Sequence, residues 1–274
     1  MIELPEVNTI SKDLRKTILG KTITDIKGDF KSHKFTFYYQ NPEKYRSFLV
    51  GKKITDIISR NFYIEIAAEN YKIIFRDGAN IRYYEPGQPE PAKSQFFIKF
   101  NDGSFLNVTV QMYACIAVFN QKEGINNEYY HMDLDGIGAL DKEFTYDYFK
   151  SLITQQTLKL SAKALLATQQ RIPGIGNGVL QEILFNAKIR PRTKIQGLSK
   201  SQIKKLYESI GETLSAMIKQ NGRDTEKDIY DNPGKYETIM SNKNYKNGCP
   251  LCGSPITKEN YLGGSVYYCP VCQK

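Results

Sequence analysis

Cys249-Pro250-Leu251-Cys252 and Cys269-Pro270-Val271-Cys272 lie near the end of the chain as two C-x-x-C pairs with sixteen residues between them. Each pair reads as a tight knuckle that turns two thiolates inward, and a hairpin between the knuckles brings all four together. Four thiolates satisfy a tetrahedral zinc ion and leave no position open for water, so one structural zinc is the expected cofactor. A module of about 30 residues buries too little apolar surface to fold alone, and metal–sulfur bonds supply the missing free energy. The competing use of these cysteines is two disulfides. The start, Met1-Ile2-Glu3-Leu4-Pro5-Glu6, has no basic segment followed by an apolar stretch, so a cytoplasmic location is expected and disulfides are disfavoured. The fifth cysteine, Cys115, ends a β-rich stretch and reads as a small core residue.

Upstream of the knuckles the pattern is helical. Ser199 and Gln202 make a capping box for a helix over 200–220, whose buried stripe is Ile203, Leu206, Ile210, Leu214 and Met217. Shorter helices are expected at 146–155, 161–170 and 178–187. Gly174-Ile175-Gly176-Asn177 precedes the last of these. Glycines there permit a tight turn, and the free N–H groups of the helix start, with the Asn177 amide, suit a phosphate; a plain helix–helix turn uses the same residues.

The N-terminal half changes period. Val7, Ile10, Leu14 and Ile18 recur at helical spacing, with Gly20 placed to cap the helix. Short strands follow at 22–26, 34–39, 63–67, 72–75, 81–84, 96–100 and 104–110, the last two joined by the turn Asn101-Asp102-Gly103. The fold class is therefore a multidomain α+β chain. It comprises an N-terminal β-sandwich or barrel with a leading helix over 1–122, a polar linker over 123–145, a helical domain over 146–243 and the four-cysteine module over 244–274.

The net charge of +9 is unevenly held: residues 150–274 carry 19 Lys and Arg against 9 Asp and Glu, and residues 1–149 carry 19 against 20. A basic C-terminal half suits a polyanion, although a solvated basic face has the same composition. No apolar run approaches the roughly 20 residues of a membrane span, which argues against a membrane partner.

Three motifs in this order carry a resemblance. Met1-Ile2-Glu3-Leu4-Pro5-Glu6-Val7 resembles the M-P-E-L-P-E-V opening of the formamidopyrimidine-DNA glycosylase / endonuclease VIII family. The run from Leu165-Leu166 through Gly174-Ile175-Gly176-Asn177 to Glu182-Ile183-Leu184-Phe185 is similar to its helix–two-turn–helix signature, and the four cysteines are similar to its zinc finger. The resemblance implies a monomer that holds bent double-stranded DNA carrying a damaged or abasic site. It implies a flipped nucleotide, since the reacting atom is unreachable inside a duplex. An N-terminal amine then attacks the sugar C1′ to form a Schiff base, and strand nicking follows. By position Glu3 corresponds to the family's proton-handling acid, Glu6 to a second acid of the motif, and Asn177 with Gly176 to its phosphate-binding turn.

The chain also departs from the family pattern. Ile2 occupies the position of the nucleophilic proline, which would move the reacting amine to Met1, one Cα spacing or about 3.8 Å along the chain. Arg60-Asn61-Phe62-Tyr63 corresponds to an R-G-K-Y segment and puts Phe62 where a phosphate-binding lysine stands; Gly264 stands for the zinc-finger arginine. Arg76-Asp77-Gly78-Ala79 replaces H-L-G-M, and in 110–115 Met112 replaces an arginine and Ala114 a phenylalanine. Arg60, Arg76, Lys163, Arg171 and Arg223 are the candidate replacement phosphate contacts. Three functions are thus open: a divergent glycosylase with or without lyase activity, a catalytically silent binder of bent or abasic DNA, and an RNA-binding zinc protein.

Overall fold

The structure, a computed structural model, describes residues 2–29, 31–126 and 136–274. It divides into two compact units, each discontinuous in sequence. Unit 1 is Met1–Ile2, Glu6–Tyr130 and Glu226–Pro233; unit 2 is Glu3–Pro5, His131–Thr225 and Gly234–Lys274. The continuous ranges read from the sequence do not anticipate two short exchanges: Glu3–Pro5 counts with the helical unit, and Glu226–Pro233 with the sheet.

Unit 1 is built on one sheet. Helix α1 (Leu4–Ile18) is followed by β1 (Ile23–Gly28), β2 (Thr36–Tyr39), the short α2 (Tyr45–Leu49), β3 (Ile54–Arg60), β4 (Tyr63–Ala68), β5 (Tyr71–Tyr84), β6 (Phe96–Phe100) and β7 (Phe105–Asn120). The strand order is β1-β6-β7-β5-β4-β3, with β2 joined to β7 in parallel and every other pair antiparallel. The stretches read as separate strands at 72–75 and 81–84 are one strand. Its pairing with β7 shifts register between Asp77 and Ala79 and then resumes. Ahead of that shift β5 pairs with β4 and the C-terminal part of β7; after it, β5 pairs with the N-terminal part of β7, which also carries β6. The two halves bury their side chains in one core: Ile66, Ile73, Phe75 and Ile116 from one, Ile81, Ile98, Leu106 and Val108 from the other. Val7, Ile10, Leu14 and Ile18 of α1 join that core at 0–2% exposure, each contributing about 1.5–3 kcal/mol by burial. Strand β3, not anticipated, buries Ile54 and Ile57, and its pairing with β4 shifts register between Ile54 and Asp56.

Unit 2 carries α3 (Tyr146–Ser151), α4 (Ala162–Ala167), α5 (Val179–Asn186), α6 (Lys200–Lys219) and the hairpin of β8 (Thr257–Tyr261) and β9 (Gly264–Tyr268). The Ser199–Gln202 capping box is present in full. Helix α4 ends earlier than its composition suggests because Gln169 and Gln170 both take positive φ, 56° and 48°. Of the segment expected as linker, 127–135 lies outside the described residues. Ala139 and Phe144 are buried in the core of unit 2 with Leu165, Ile183, Leu206 and Leu214, which makes that end of the segment part of the fold. Phe185 of α5, Met240, Ile256 and Tyr267 pack with Cys249 and Cys269 in a small cluster of their own, through which the cysteine module rests on α5. Among the described residues no helix is long and apolar enough to cross a membrane.

Candidate functional site

Helix α5 starts at a run of backbone N–H groups left without intrahelical partners, as every helix start is. Gly178, its N-cap, offers no side chain to accept from them. The acceptor comes instead from Glu3, far away in sequence. Glu3 Oε1 accepts from Gly178 N at 2.8 Å, and Oε2 accepts from Val179 N at 2.8 Å and from Gly176 N at 3.2 Å. The carboxylate, 2% exposed, lies at the positive end of the helix dipole. Leu4 N donates to Gly174 O at 3.1 Å and fixes the backbone beside it. The turn that the sequence offered to a phosphate is therefore occupied by the protein's own carboxylate.

Glycines make room for this arrangement. A methyl group on Gly176 would stand 2.6 Å from Glu3 Cδ. Arg223, 3% exposed, places Nη1 3.6 Å from Glu3 Oε1. It is a buried cation beside Glu3, whereas the sequence marked it as a surface candidate for phosphate. One turn into α5, Glu182 is 1% exposed and its Oε1 accepts from Ile239 N and Met240 N at 2.9 and 2.6 Å. Burial pushes the Glu182 carboxyl up to about 7, against the lowering effect of those N–H groups and of Arg223. A glutamate inside the apolar run Val179–Phe185 is the signal by which the sequence could have marked it as buried.

Asn177 and Gln181 tie α5 to the hairpin. Asn177 Nδ2 and Gln181 Nε2 both donate to Ser265 O, at 3.1 and 2.8 Å, and Gln181 Oε1 accepts from Tyr267 N at 3.0 Å. Asn177 Oδ1 is buried without a partner among the described residues. Lys163, expected to reach a phosphate, is 3% exposed and donates through Nζ to Tyr261 O at 2.6 Å; burial pushes its pKa down. Arg171 closes the end of α4, donating through Nη1 to Thr168 O at 2.9 Å and Ala164 O at 3.3 Å. A basic residue that can satisfy helix-end carbonyls takes that role when it lies within reach of them.

The four cysteine Sγ atoms all lie within 4.8 Å of one another. Cys249 and Cys272 are 3.8 Å apart, and Cys252 and Cys269 are 3.5 Å apart. Thiolates at about 2.3 Å from a tetrahedral zinc stand about 3.8 Å from each other, so the donor set and its spacing fit that ion.

In unit 1, Ile2 is a core residue at 5% exposure whose N–H donates to Asp77 O at 2.9 Å. Glu6 is buried in the first turns of α1. Met1 lies outside the described residues. Arg76 is 7% exposed, with its guanidinium 4.9 Å from the Tyr63 ring centroid and 5.6 Å from that of Phe62, and Nη1 donates to Tyr63 Oη at 2.9 Å. Burial raises the pKa of the neighbouring Asp77 carboxyl, and the charge of Arg76 partly opposes the rise. Arg60, at the end of β3, is exposed. Of the five candidate phosphate cations it alone stands on the surface; burial and internal bonds engage the others.

Two family models match the chain. The formamidopyrimidine-DNA glycosylase N-terminal domain covers residues 1–110, and the formamidopyrimidine-DNA glycosylase H2TH domain covers residues 136–228. The formamidopyrimidine-DNA glycosylase of Bacillus cereus is 27% identical over 100% of this chain and 99% of its own length. That of Lactobacillus delbrueckii subsp. bulgaricus is also 27% identical, over the whole of both chains. Among solved structures, Lactococcus lactis Fpg in complex with abasic-site DNA is 25% identical with a TM-score of 0.82, covering 99% of each chain. Thermus thermophilus MutM (Fpg) shares the fold at 20% identity and a TM-score of 0.80, covering 99% of this chain and 98% of its own. With the N-terminal and H2TH models matched in order along a full-length likeness, this chain belongs to the formamidopyrimidine-DNA glycosylase family.

Proposed function

We propose that this chain is a DNA repair glycosylase that removes a damaged base from double-stranded DNA through a lesion pocket altered from the family pattern. The observation that carries the reading is Glu3: the acid of the opening motif is held by three backbone N–H groups at the start of α5. A carboxylate fixed in this way needs no reorganisation when charge develops beside it. The Met1 α-amine is the proposed nucleophile. The Ile2 nitrogen is an amide whose N–H is given to Asp77 O, and its side chain is committed to the core of unit 1. A free α-amine is about a tenth unprotonated at pH 7. It attacks C1′, the base departs with its bonding electrons and takes a proton, and the resulting Schiff base permits elimination of the 3′ phosphate. Exposed Arg60 is the proposed phosphate contact of unit 1. Asn177 and Gly176 support the hairpin and the acid. Zinc, bound by Cys249, Cys252, Cys269 and Cys272, supplies a rigid base for the β8–β9 hairpin and takes no part in the chemistry.

Borohydride reduction in the presence of abasic-site duplex, read by intact mass spectrometry, tests the nucleophile. The expected product is a covalent adduct on the N-terminal peptide. An adduct on a lysine instead, or none, overturns the role given to Met1. A second reading, a silent binder of abasic or bent DNA, is favoured by one observation: both Glu3 oxygens already accept backbone N–H groups. It requires salt-dependent DNA binding with no adduct and no base release.

A further inference from the structure

The register break in β5 falls on a charged residue. Asp77 takes a positive φ of 62°, a conformation that aspartate tolerates better than most side chains. Gly78 follows it. A methyl group there would stand 1.9 Å from Gln111 O and 2.7 Å from Tyr113 O, so the backbone of β7 closes directly over the break. The H-L-G-M pattern of the family has leucine at the position of Asp77; this chain has a carboxylate.

The break meets the start of the chain. Asp77 O accepts from Ile2 N at 2.9 Å. Bond lengths and angles keep the Met1 amine within about 4 Å of the Ile2 nitrogen, whatever the torsion between them. The amine is therefore tied to the neighbourhood of Asp77 by a single residue. Burial pushes the Asp77 carboxyl up, and the charges of Arg76 and of the N-terminal amine oppose that rise. The side chain keeps 19% of its surface exposed, and Oδ2 lies 3.5 Å from Arg76 Nε. Among the described residues no backbone N–H donates to this carboxyl, whereas the two oxygens of Glu3 accept three. Asp77 thus has the freer lone pairs of the two acids.

We infer that Asp77 is the general base for the N-terminal amine, accepting the proton that Met1 must lose when it bonds to the sugar. The inference rests on the reading of Met1 as the nucleophile and deepens it. The amine lone pair forms the bond to C1′ while the bond to the base breaks, and those electrons leave with the base. The nitrogen then carries two protons and a positive charge. The Asp77 carboxylate takes one of these protons, which balances the proton taken up by the departing base. The nitrogen regains the lone pair that a Schiff base requires. Arg76 keeps its charge throughout and favours the ionised carboxylate between turnovers.

Asp77→Asn keeps the shape and the tolerance of positive φ but cannot take a proton, and Asp77→Gly accepts the same backbone with no side chain. Both are made with the native N-terminus and checked for an unchanged melting transition. Each is mixed with an abasic-site duplex under single turnover, with cyanoborohydride trapping read by intact mass spectrometry. Both are expected to form the Met1 adduct about 100-fold more slowly than wild type at about pH 8. That ratio is expected to narrow as pH falls toward about 5, because the wild-type carboxyl then takes up a proton of its own. Of the groups around Asp77, Arg76 stays charged, burial holds the Cys115 thiol protonated, and the amine titrates in wild type and variants alike. Equal or faster adduct formation by Asp77→Asn makes Asp77 only an ion partner of the amine and overturns the inference, since losing that charge leaves more of the amine neutral. A deficit that stays constant across this pH range marks a structural effect and overturns it too. In both cases a Met1 adduct in wild type leaves the nucleophile standing. A wild-type adduct on a lysine, or none, removes Met1 and with it any role for Asp77.

Discussion

A methyl group on Gly178 would stand 1.6 Å from Arg223 Nη1 and 2.9 Å from Glu3 Oε1. The guanidinium is buried, so it cannot simply swing into water, and Gly178→Ala is expected to cost about 3 kcal/mol by separating a buried cation from its carboxylate. Denaturant unfolding measures this, and a change under about 0.5 kcal/mol, typical of a surface site, would contradict the packing described. Glu182 gives a pH signature. Unfolded, its carboxyl releases a proton near the usual 4.5; folded, burial holds the proton until about 7. Between these values the folded state binds more protons. The contribution of this group is therefore largest below 4.5 and is lost as pH rises through 7, an effect on the order of 3 kcal/mol. Comparing the melting temperatures of wild type and Glu182→Gln at pH 5 and pH 7.5 isolates it. The difference between the two proteins is expected to shift in favour of Glu182→Gln at the higher pH, and a constant difference would contradict the assignment. The burial of Glu182 had a local signal in its apolar neighbours Val179–Phe185, whereas that of Arg223 had none. Lys163 and Arg223 have the composition of surface cations, and only contacts far along the chain reveal that the Tyr261 carbonyl and the Glu3 carboxylate hold them; Arg171 is held locally, by Ala164 O and Thr168 O. Glu3 was legible as an acid of the motif. Its docking to the start of α5 spans more than 170 residues of chain and has no local signal.

At the scale of elements, local chemistry was read more successfully. The Ser199–Gln202 capping box, the Asn101–Gly103 turn and the stripe of α1 depend on neighbours within one or two turns, and each is present. Boundaries set by tertiary contacts were not legible: β5 continues across Gly78, and β7 runs on to Asn120 because β2 and β5 pair with its second half. The β8–β9 hairpin belongs with the legible elements, since the spacing of the C-x-x-C pairs dictates it. Beside it lie four cysteine Sγ atoms at metal-binding distance and the small cluster around Tyr267. Removal of zinc by a chelator is expected to melt this hairpin and free Ser265 O from Asn177 and Gln181, and the sheet of unit 1 is expected to persist. Amide hydrogen exchange reads this directly. Protection lost across 249–272 and α5 but kept in β4–β7 is the predicted pattern, and unchanged protection of the hairpin would contradict a metal-dependent fold.

At the scale of the whole molecule, the family scaffold and its chemistry respond differently to sequence change. Sheet, H2TH helices and cysteine cluster follow from buried apolar positions and metal geometry, which tolerate 27% identity to the Bacillus cereus relative. Of the positions at which the opening and finger segments depart from the family motifs, Ile2 lies in the core, Phe62 faces Arg76, and Gly264 lies against Asn177. Glu3 persists, with the start of α5 shaped around it. Base release from duplexes carrying a panel of damaged bases, measured under single turnover for wild type and Glu3→Gln, bears most directly on the claim that this acid operates in a glycosylase. Wild type is predicted to release a free base from at least one lesion, and Glu3→Gln to do so about 100-fold more slowly or worse while remaining folded. No release from any lesion, or equal rates for the two proteins, would contradict the account.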